Sequence, residues 1–418
     1  MDHAKPKVDC VCASSDRISS LPPEIKGHIL SNLNVEEAVR TSILSSEWRD
    51  AWTVMPKINL NDSLFGFPNG RFKFVTLVDM VLSLHKGPIE SFAIVGNKSY
   101  NDVFDRWMYM LSKKKTDYII IKLTSGPKYK IPSRFFFISV LERLRVKNCI
   151  ISLPRGFEGF KLLTLLNLKS FSSTDSDINN LISSCPRLKM LLLRYFEGLS
   201  CLNIRAPELE ALEIVGNFKD LHLHTPNLEQ VYLKHIKVQS VPLDGASKSY
   251  LKQAFGSLTR IKRLLVSNTF LMYLSKGCIL TKLPCVFDHL EEICITGRLW
   301  NSIEVLAAWS LFQNAPYLRK LGIWSNMHDD LTPKGIWDGD HTKIQGPTMD
   351  HLLAVNVHDF MGFDCEIAFL GLLLSWAPAL EEMKIDVPEN MTDQCICKAT
   401  KKLLAFPRAS TKAKIMFI

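Results

Sequence analysis

A chain of 418 residues with 47% hydrophobic and 22% charged side chains has a globular composition. That excludes a disordered or fibrous protein and leaves room for several domains or one long repeat array. The 51 Lys and Arg exceed the 42 Asp and Glu by nine, a mildly basic balance. Its short runs, such as Lys113-Lys114-Lys115, lack the motif context of a nucleic-acid binder, so no nucleic-acid partner is expected.

Eleven cysteines are scattered singly, Cys149, Cys185 and Cys294 beside apolar positions, which predicts reduced thiols in an intracellular protein. The close pairs Cys10-x-Cys12 and Cys395-x-Cys397 have no second pair at zinc spacing. No apolar run reaches the ~18 residues needed to span a bilayer, so no membrane association is expected. The compartment is nucleus, cytoplasm or both.

Residues 1–15 are polar, lack the apolar segment of a secretory signal and read as a flexible N-terminus. Leu21-Pro22-Pro23 then opens a stretch dense in apolar positions. Proline is tolerated in the first turn of a helix, where its missing N–H loses no partner. Ile25, Ile29, Leu30 and Leu33 follow at helical spacing. Asn34 with Glu37 three places on predicts the cap of a second helix carrying Val35, Ala38, Val39, Ser42 and Ile43. A third short helix carries Trp48 and Trp52. A unit this small is below the size of a comfortable lone core, and its large apolar groups outnumber the places inside it. The surplus must face something else.

After residue 56 the pattern L-x-x-L-x-L recurs twelve times. It begins at Ile89-Phe92-Ile94 and Tyr118-Ile121-Leu123. It continues through Leu141-Leu144-Val146, Leu163-Leu166-Leu168, Leu188-Leu191-Leu193, Leu209-Leu212-Ile214 and Leu228-Val231-Leu233. It closes with Ile261-Leu264-Val266, Leu290-Ile293-Ile295, Leu318-Leu321-Ile323, Leu352-Val355-Val357 and Leu380-Met383-Ile385. Middle positions lie 19 (Leu212 to Val231) to 34 residues apart (Leu321 to Val355), so the repeats are degenerate. Insertions run from Pro242 to Leu258 and from Met327 to Thr348. Each x-L-x-L predicts a short strand that cannot bury its apolar face alone; stacked units share one core beneath a parallel sheet. Pro186, Pro207, Pro226, Pro316 and Pro378 each stand two residues before a strand's first leucine and predict the turn into it. The segment DINNLISSCPRLKMLLL predicts a whole unit, with a helix from Ile178 to Ser184.

Nucleotide-binding, nucleophile-elbow and HExxH motifs are absent from the sequence. His222-x-His224 shares one strand face but has no third ligand, and Asp329, Asp330, Asp338, Asp340 and His341 read as a solvated acidic loop. No residue is assigned a catalytic role, and no metal or cofactor is expected. Function then lies in surfaces. The strand residues beside the buried leucines line the concave face of a curved solenoid, and there the candidates for binding a protein substrate are Arg145, Lys169, Arg194, Tyr232, Lys234 and Trp324. Arg145, Lys169, Arg194 and Lys234 fall in one frame, and their shared sign predicts an acidic or phosphorylated partner.

The opening residues carry a resemblance. Leu21-Pro22, Ile25, Ile29, Leu33, the run Ala38 to Ser45, Trp48-Arg49 and Trp52 resemble the F-box of plant F-box proteins, departing at Ser46-Glu47, where basic residues are usual. The C-terminal stretch from Val355 to Ile385, with the closing AKIMFI, resembles the FBD region of plant F-box/leucine-rich proteins. The resemblance implies an F-box over 16–56, a leucine-rich-repeat solenoid over 57–344 and an FBD-like region over 345–418 that continues and caps it. The fold class is α/β, three N-terminal helices followed by parallel strands. It implies that Leu21, Pro22, Ile25, Ile29, Leu33, Val39 and Trp48 contact a Skp-type adaptor and, through it, a cullin, while the repeats bind a protein substrate. Alternatives are a scaffold that uses the repeats without ubiquitination and an F-box receptor that senses a small ligand.

Overall fold

Pro22 and Pro23 open α1 (Pro23–Leu30). Asn34 caps α2 (Val35–Arg40): its Oδ1 accepts the Glu37 N–H at 3.0 Å, and the Glu37 carboxylate accepts the Asn34 N–H at 3.3 Å. The computed structural model describes residues 17–65, 69–236, 256–267, 270–271, 286–297, 302–325, 348–389 and 391–418, and side chains from 305 onward in the segment that begins at 302. The chain divides into two compact units, Met1–Gly126 and Pro127–Ile418.

In the first unit α2 stops earlier than predicted, and three short 3₁₀ turns follow, Thr41–Ile43, Ser46–Trp48 and Ala51–Val54. They replace the predicted third helix. The Thr41 and Thr53 hydroxyls bond back to the carbonyls of Ala38 and Asp50, both at 2.7 Å, and such bonds compete with a continuing helix. Beyond them, β1 (Lys57–Asn61), α3 (Gly70–Leu84), β2 (Ile89–Gly96), α4 (Asn101–Ser112) and β3 (Thr116–Leu123) alternate, and the strands pair in parallel, β1-β2-β3. Phe74 of α3, Tyr100 just before α4 and Trp107 within it fill the space between helices and sheet, with ring centroids 5.3 to 6.3 Å apart.

One predicted triplet is out of register. Phe92 pairs with Ile119 and Ile94 with Ile121, so the repeat in β3 is Thr116-Ile119-Ile121, two residues before Tyr118-Ile121-Leu123. A slip of two leaves the same side chains inward, because strand alternation has period two. Thr116, fully buried, holds the place of a leucine.

The second unit runs β4 (Tyr129–Lys130), β5 (Arg143–Lys147), β6 (Cys149–Ile150), β7 (Leu165–Lys169), α5 (Asp175–Ser183), β8 (Met190–Arg194), β9 (Cys201–Arg205), β10 (Ala211–Val215), β11 (Asp220–His224) and β12 (Gln230–Lys234). It continues with β13 (Arg263–Ser267), β14 (Glu292–Gly297), α6 (Ser302–Gln313), β15 (Lys320–Ser325), β16 (Ala354–His358), α7 (Asp364–Trp376), β17 (Glu382–Ile385), α8 (Asp393–Leu404) and β18 (Lys414–Phe417). Its main sheet is parallel throughout, in the order β5-β7-β8-β10-β12-β13-β14-β15-β16-β17-β18. β4 pairs with β6 and β9 with β11 in two small sheets.

The middle leucines align as predicted: Leu144, Leu166, Leu191, Leu212, Val231, Leu264, Ile293, Leu321, Val355 and Met383 lie side by side, all buried. The prolines act as their spacing predicts. Each occupies the second place of a tight turn, closed by the N–H of Leu188, Leu209, Leu228, Leu318 or Leu380 to the carbonyl three residues back, at 3.1 to 3.3 Å. At the far ends of β5, β7 and β8 the chain exits through Asn148, Ser170 and Tyr195, all at positive φ. The FBD-like end adds β16, β17 and the edge strand β18 to this sheet. α7, almost wholly buried, meets α6 through Trp309, whose ring lies 5.1 Å from that of Phe369 and 4.4 Å from that of Trp376.

Candidate interaction surfaces

The first unit presents an apolar face to solvent. Ile25 and Ile29 of α1, and Leu33 after it, are exposed; Pro22 is exposed and Leu21 half-buried. Ile43 and Leu44 stand out furthest, 85% and 75% exposed. Sequence reading put Ile43 on the second helix and did not single out either residue for partner contact. Two adjacent large aliphatics in so short a polar segment were the signal. Val39 is half-buried and lines a hollow of about 580 Å³ with Leu64, Phe65, Phe72, Leu77 and Met80.

Trp48 belongs elsewhere. It is only 9% exposed, its indole N–H donates to Ser19 Oγ at 2.8 Å, and the Lys26 ammonium lies 5.6 Å from its ring. A ring so enclosed is core, not contact surface, which corrects its assignment as a partner-facing residue. The ammonium of Lys26, itself buried, donates to the Glu47 carbonyl at 3.1 Å and faces the Glu47 carboxylate at 3.7 Å. The acidic departure at Glu47 is therefore matched by a buried lysine of α1.

On the second unit the pairing register sorts the outward side chains into rows. One row holds Lys147, Lys169, Arg194, Val215 and Lys234. The sequence frame places Arg145 with Lys169; in the structure Arg145 pairs with Asn167, one row nearer the strand start, and Lys147 takes its place. Arg194 does not offer an open charge. Its guanidinium forms a two-pronged pair with the Glu213 carboxylate, and that pairing holds it protonated. The Lys169 ammonium sits 5.4 Å from the Tyr195 ring.

In the neighbouring row Leu192, Glu213, Tyr232, Leu265, Cys294 and Gly322 follow one another across β8, β10, β12, β13, β14 and β15. The first five of these, with Trp324, bound a cavity of about 400 Å³, also lined by Arg263 and Glu292, which pair at 2.9 Å. Burial pushes the Tyr232 hydroxyl up and the Cys294 thiol up to about 11, so both stay protonated at neutral pH. The register thus brings Tyr232 and Trp324 to one cavity and leaves Arg145 and Lys169 outside its lining.

Comparison with known proteins bears on both surfaces. The family model described as "F-box domain" matches residues 18–59, and the one described as "FBD-associated F-box protein At5g56370, LRR repeats" matches residues 104–286. The "F-box/FBD/LRR-repeat protein At1g13570" of Arabidopsis thaliana is 30% identical, over 97% of this chain and 99% of that protein. The chain belongs to the F-box/FBD/LRR-repeat family. The "F-box/LRR-repeat protein At2g42730" of the same plant is 24% identical over 96% of this chain and 98% of its own length. For "F-box/LRR-repeat protein At3g58940" the figures are 25%, 90% and 66%.

This F-box/FBD/LRR-repeat chain carries regions that make protein binding its business. Among its described residues no helix is long and apolar enough to cross a membrane, and no group of three or more His, Cys, Asp or Glu is arranged to hold a metal ion. His222 and His224 lie on β11, paired with Asn203 and Arg205 of β9. Cys149 and Cys185 are buried free thiols, Cys294 is half-buried, and Cys395 and Cys397 are exposed. Cys10-x-Cys12, the acidic loop from Asp329 to His341 and most of both insertions lie outside the described residues.

Proposed function

We propose that the protein is the substrate-recognition subunit of an SCF-type cullin–RING ubiquitin ligase. Residues 16–56 dock on a Skp-type adaptor, which links them to a cullin. Residues 57–344 bind a protein substrate, and residues 345–418 continue and close the repeat sheet. Transfer chemistry belongs to other subunits. The observation that carries this reading is the exposed aliphatic face of Ile25, Ile29, Leu33, Ile43 and Leu44 on the segment that matches the F-box model. An exposed apolar patch of this kind marks a protein interface. Leu21 and Pro22 stand just before α1, and Val39 lines a hollow of the same unit.

Affinity capture of the intact chain from plant cells should return a Skp-type adaptor and a cullin. The Ile25→Asp, Ile29→Asp double variant should lose both and keep its other partners. A capture that returns partners but neither adaptor nor cullin would contradict the ligase reading and make the protein a scaffold.

A further inference from the structure

The outward face of a repeat sheet normally meets water with polar side chains. Here its middle row carries Leu192 and, after Glu213, turns largely apolar through Tyr232, Leu265 and Cys294. At β15 the row has Gly322. A Cβ there would stand 2.8 Å from Cys294 Sγ and 3.0 Å from the Trp324 ring, so the indole lies against the bare backbone. The imidazole of His358 stacks on Trp324 with centroids 4.7 Å apart and planes 19° from parallel, which holds that wall in place. The cavity is thus built into rigid strands.

Its charges cancel locally. Glu213 is held by Arg194 and Glu292 by Arg263. A charged occupant would shed its water and find both carboxylates already engaged, whereas an uncharged one loses little. The cavity's volume of about 400 Å³ is enough for an indole or phenol ring. Beside it on the same face runs the row with Lys147, Lys169 and Lys234. Lys234 follows Tyr232 by two strand positions, about 7 Å along the sheet.

We propose that this cavity receives an uncharged aromatic side chain of the substrate protein, with an acidic residue of the same segment set against the lysine row. Aromatic anchors in dry pockets dominate protein recognition, and the lysines supply the charge complementarity that an acidic neighbour answers. The inference rests on the substrate-receptor reading and names the chemistry of the partner at that surface.

The test uses the full-length chain in complex with a purified Skp-type adaptor, panned against a random peptide library. Enriched peptides should share a Trp, Tyr or Phe with Asp or Glu a few residues away. Replacing the aromatic by alanine should weaken binding about tenfold or more. Leu265→Arg should do the same, and so should Trp324→Ala if Leu265→Arg does not fold. Lys234→Glu should weaken the acidic peptides several-fold, with the difference shrinking as salt rises. Enriched peptides that lack an aromatic, or that ignore both cavity variants, overturn the inference. So does a complex that enriches no peptide while free indole binds in the cavity. Failure of chain and adaptor to form the complex at all defeats the receptor reading, and the inference falls with it; a formed complex that selects no aromatic peptide defeats the inference alone.

Discussion

His235 is packed against Phe218, ring centroids 4.5 Å apart, and Phe270, 5.5 Å away. Burial pushes its imidazole down from 6.5 to about 4. A histidine whose folded value is depressed resists protonation in the fold while the unfolded chain takes up a proton near 6.5. Between those values the unfolded state binds more protons, so stability is lost as pH falls through the window, by about 3 kcal/mol once below pH 4. His235→Phe should flatten that acid limb in denaturant titrations run from pH 7 to pH 4, apart from the smaller contribution of His85, also lowered chiefly by burial. An unchanged slope in the variant would show that His235 is not the group responsible. Glu366 works in the opposite sense: burial raises its carboxyl although it accepts the N–H groups of Met361 and Phe363 at 3.2 and 3.0 Å. Neither residue announces itself in the sequence. A His just past a strand, or a Glu in the first turn of a helix, reads as solvated until tertiary packing encloses it.

At the scale of elements, one carboxylate ties the first unit's strand ends together. Asp62 Oδ2, buried at the end of β1, accepts the N–H groups of Asn97 and Lys98 at 2.6 and 3.2 Å and the Tyr100 hydroxyl at 2.9 Å. That fixes the turn from β2 into α4. Asp62→Ala leaves three donors without their acceptor and should cost about 3 kcal/mol, read as a shift in the chemical denaturation midpoint. A loss under about 1 kcal/mol would mean that water replaces the carboxylate. The elements themselves were legible because the repeat states its pattern many times. Leucine spacing gave the strands, and X-Pro-x-Leu gave the turn before them. What stayed hidden was whatever period two cannot resolve. The frame of β3 slips by two without changing its inward face, and Arg145 and Lys147 both point outward, so only the pairing with β7 tells them apart. The third helix of the opening stretch failed for another reason: Thr41 and Thr53 bond back to the carbonyls of their own turns, and such bonds compete with a helix ladder.

For the molecule as a whole, the two candidate surfaces lie on different units and differ in kind. The apolar face of the first was foreseen from a surplus of large side chains, but the residues that compose it changed. Trp48 went inside, and Ile43 and Leu44 came out. The candidate binding face of the second was foreseen as a basic stripe, yet Arg194 is matched by Glu213, and the distinguishing feature is a cavity on the outward face of the sheet. Charge counted along a sequence cannot show which charges neutralise one another across strands. The central claim is that the first unit's aliphatic face binds a Skp-type adaptor. Calorimetric titration of the purified chain with a purified adaptor tests it most directly. The account predicts one-to-one binding at roughly micromolar Kd or tighter, weakened by about 100-fold, near 3 kcal/mol, in the Ile25→Asp, Ile29→Asp variant with its thermal unfolding unchanged. Absence of binding by the unaltered chain, or wild-type affinity in the variant, would contradict it.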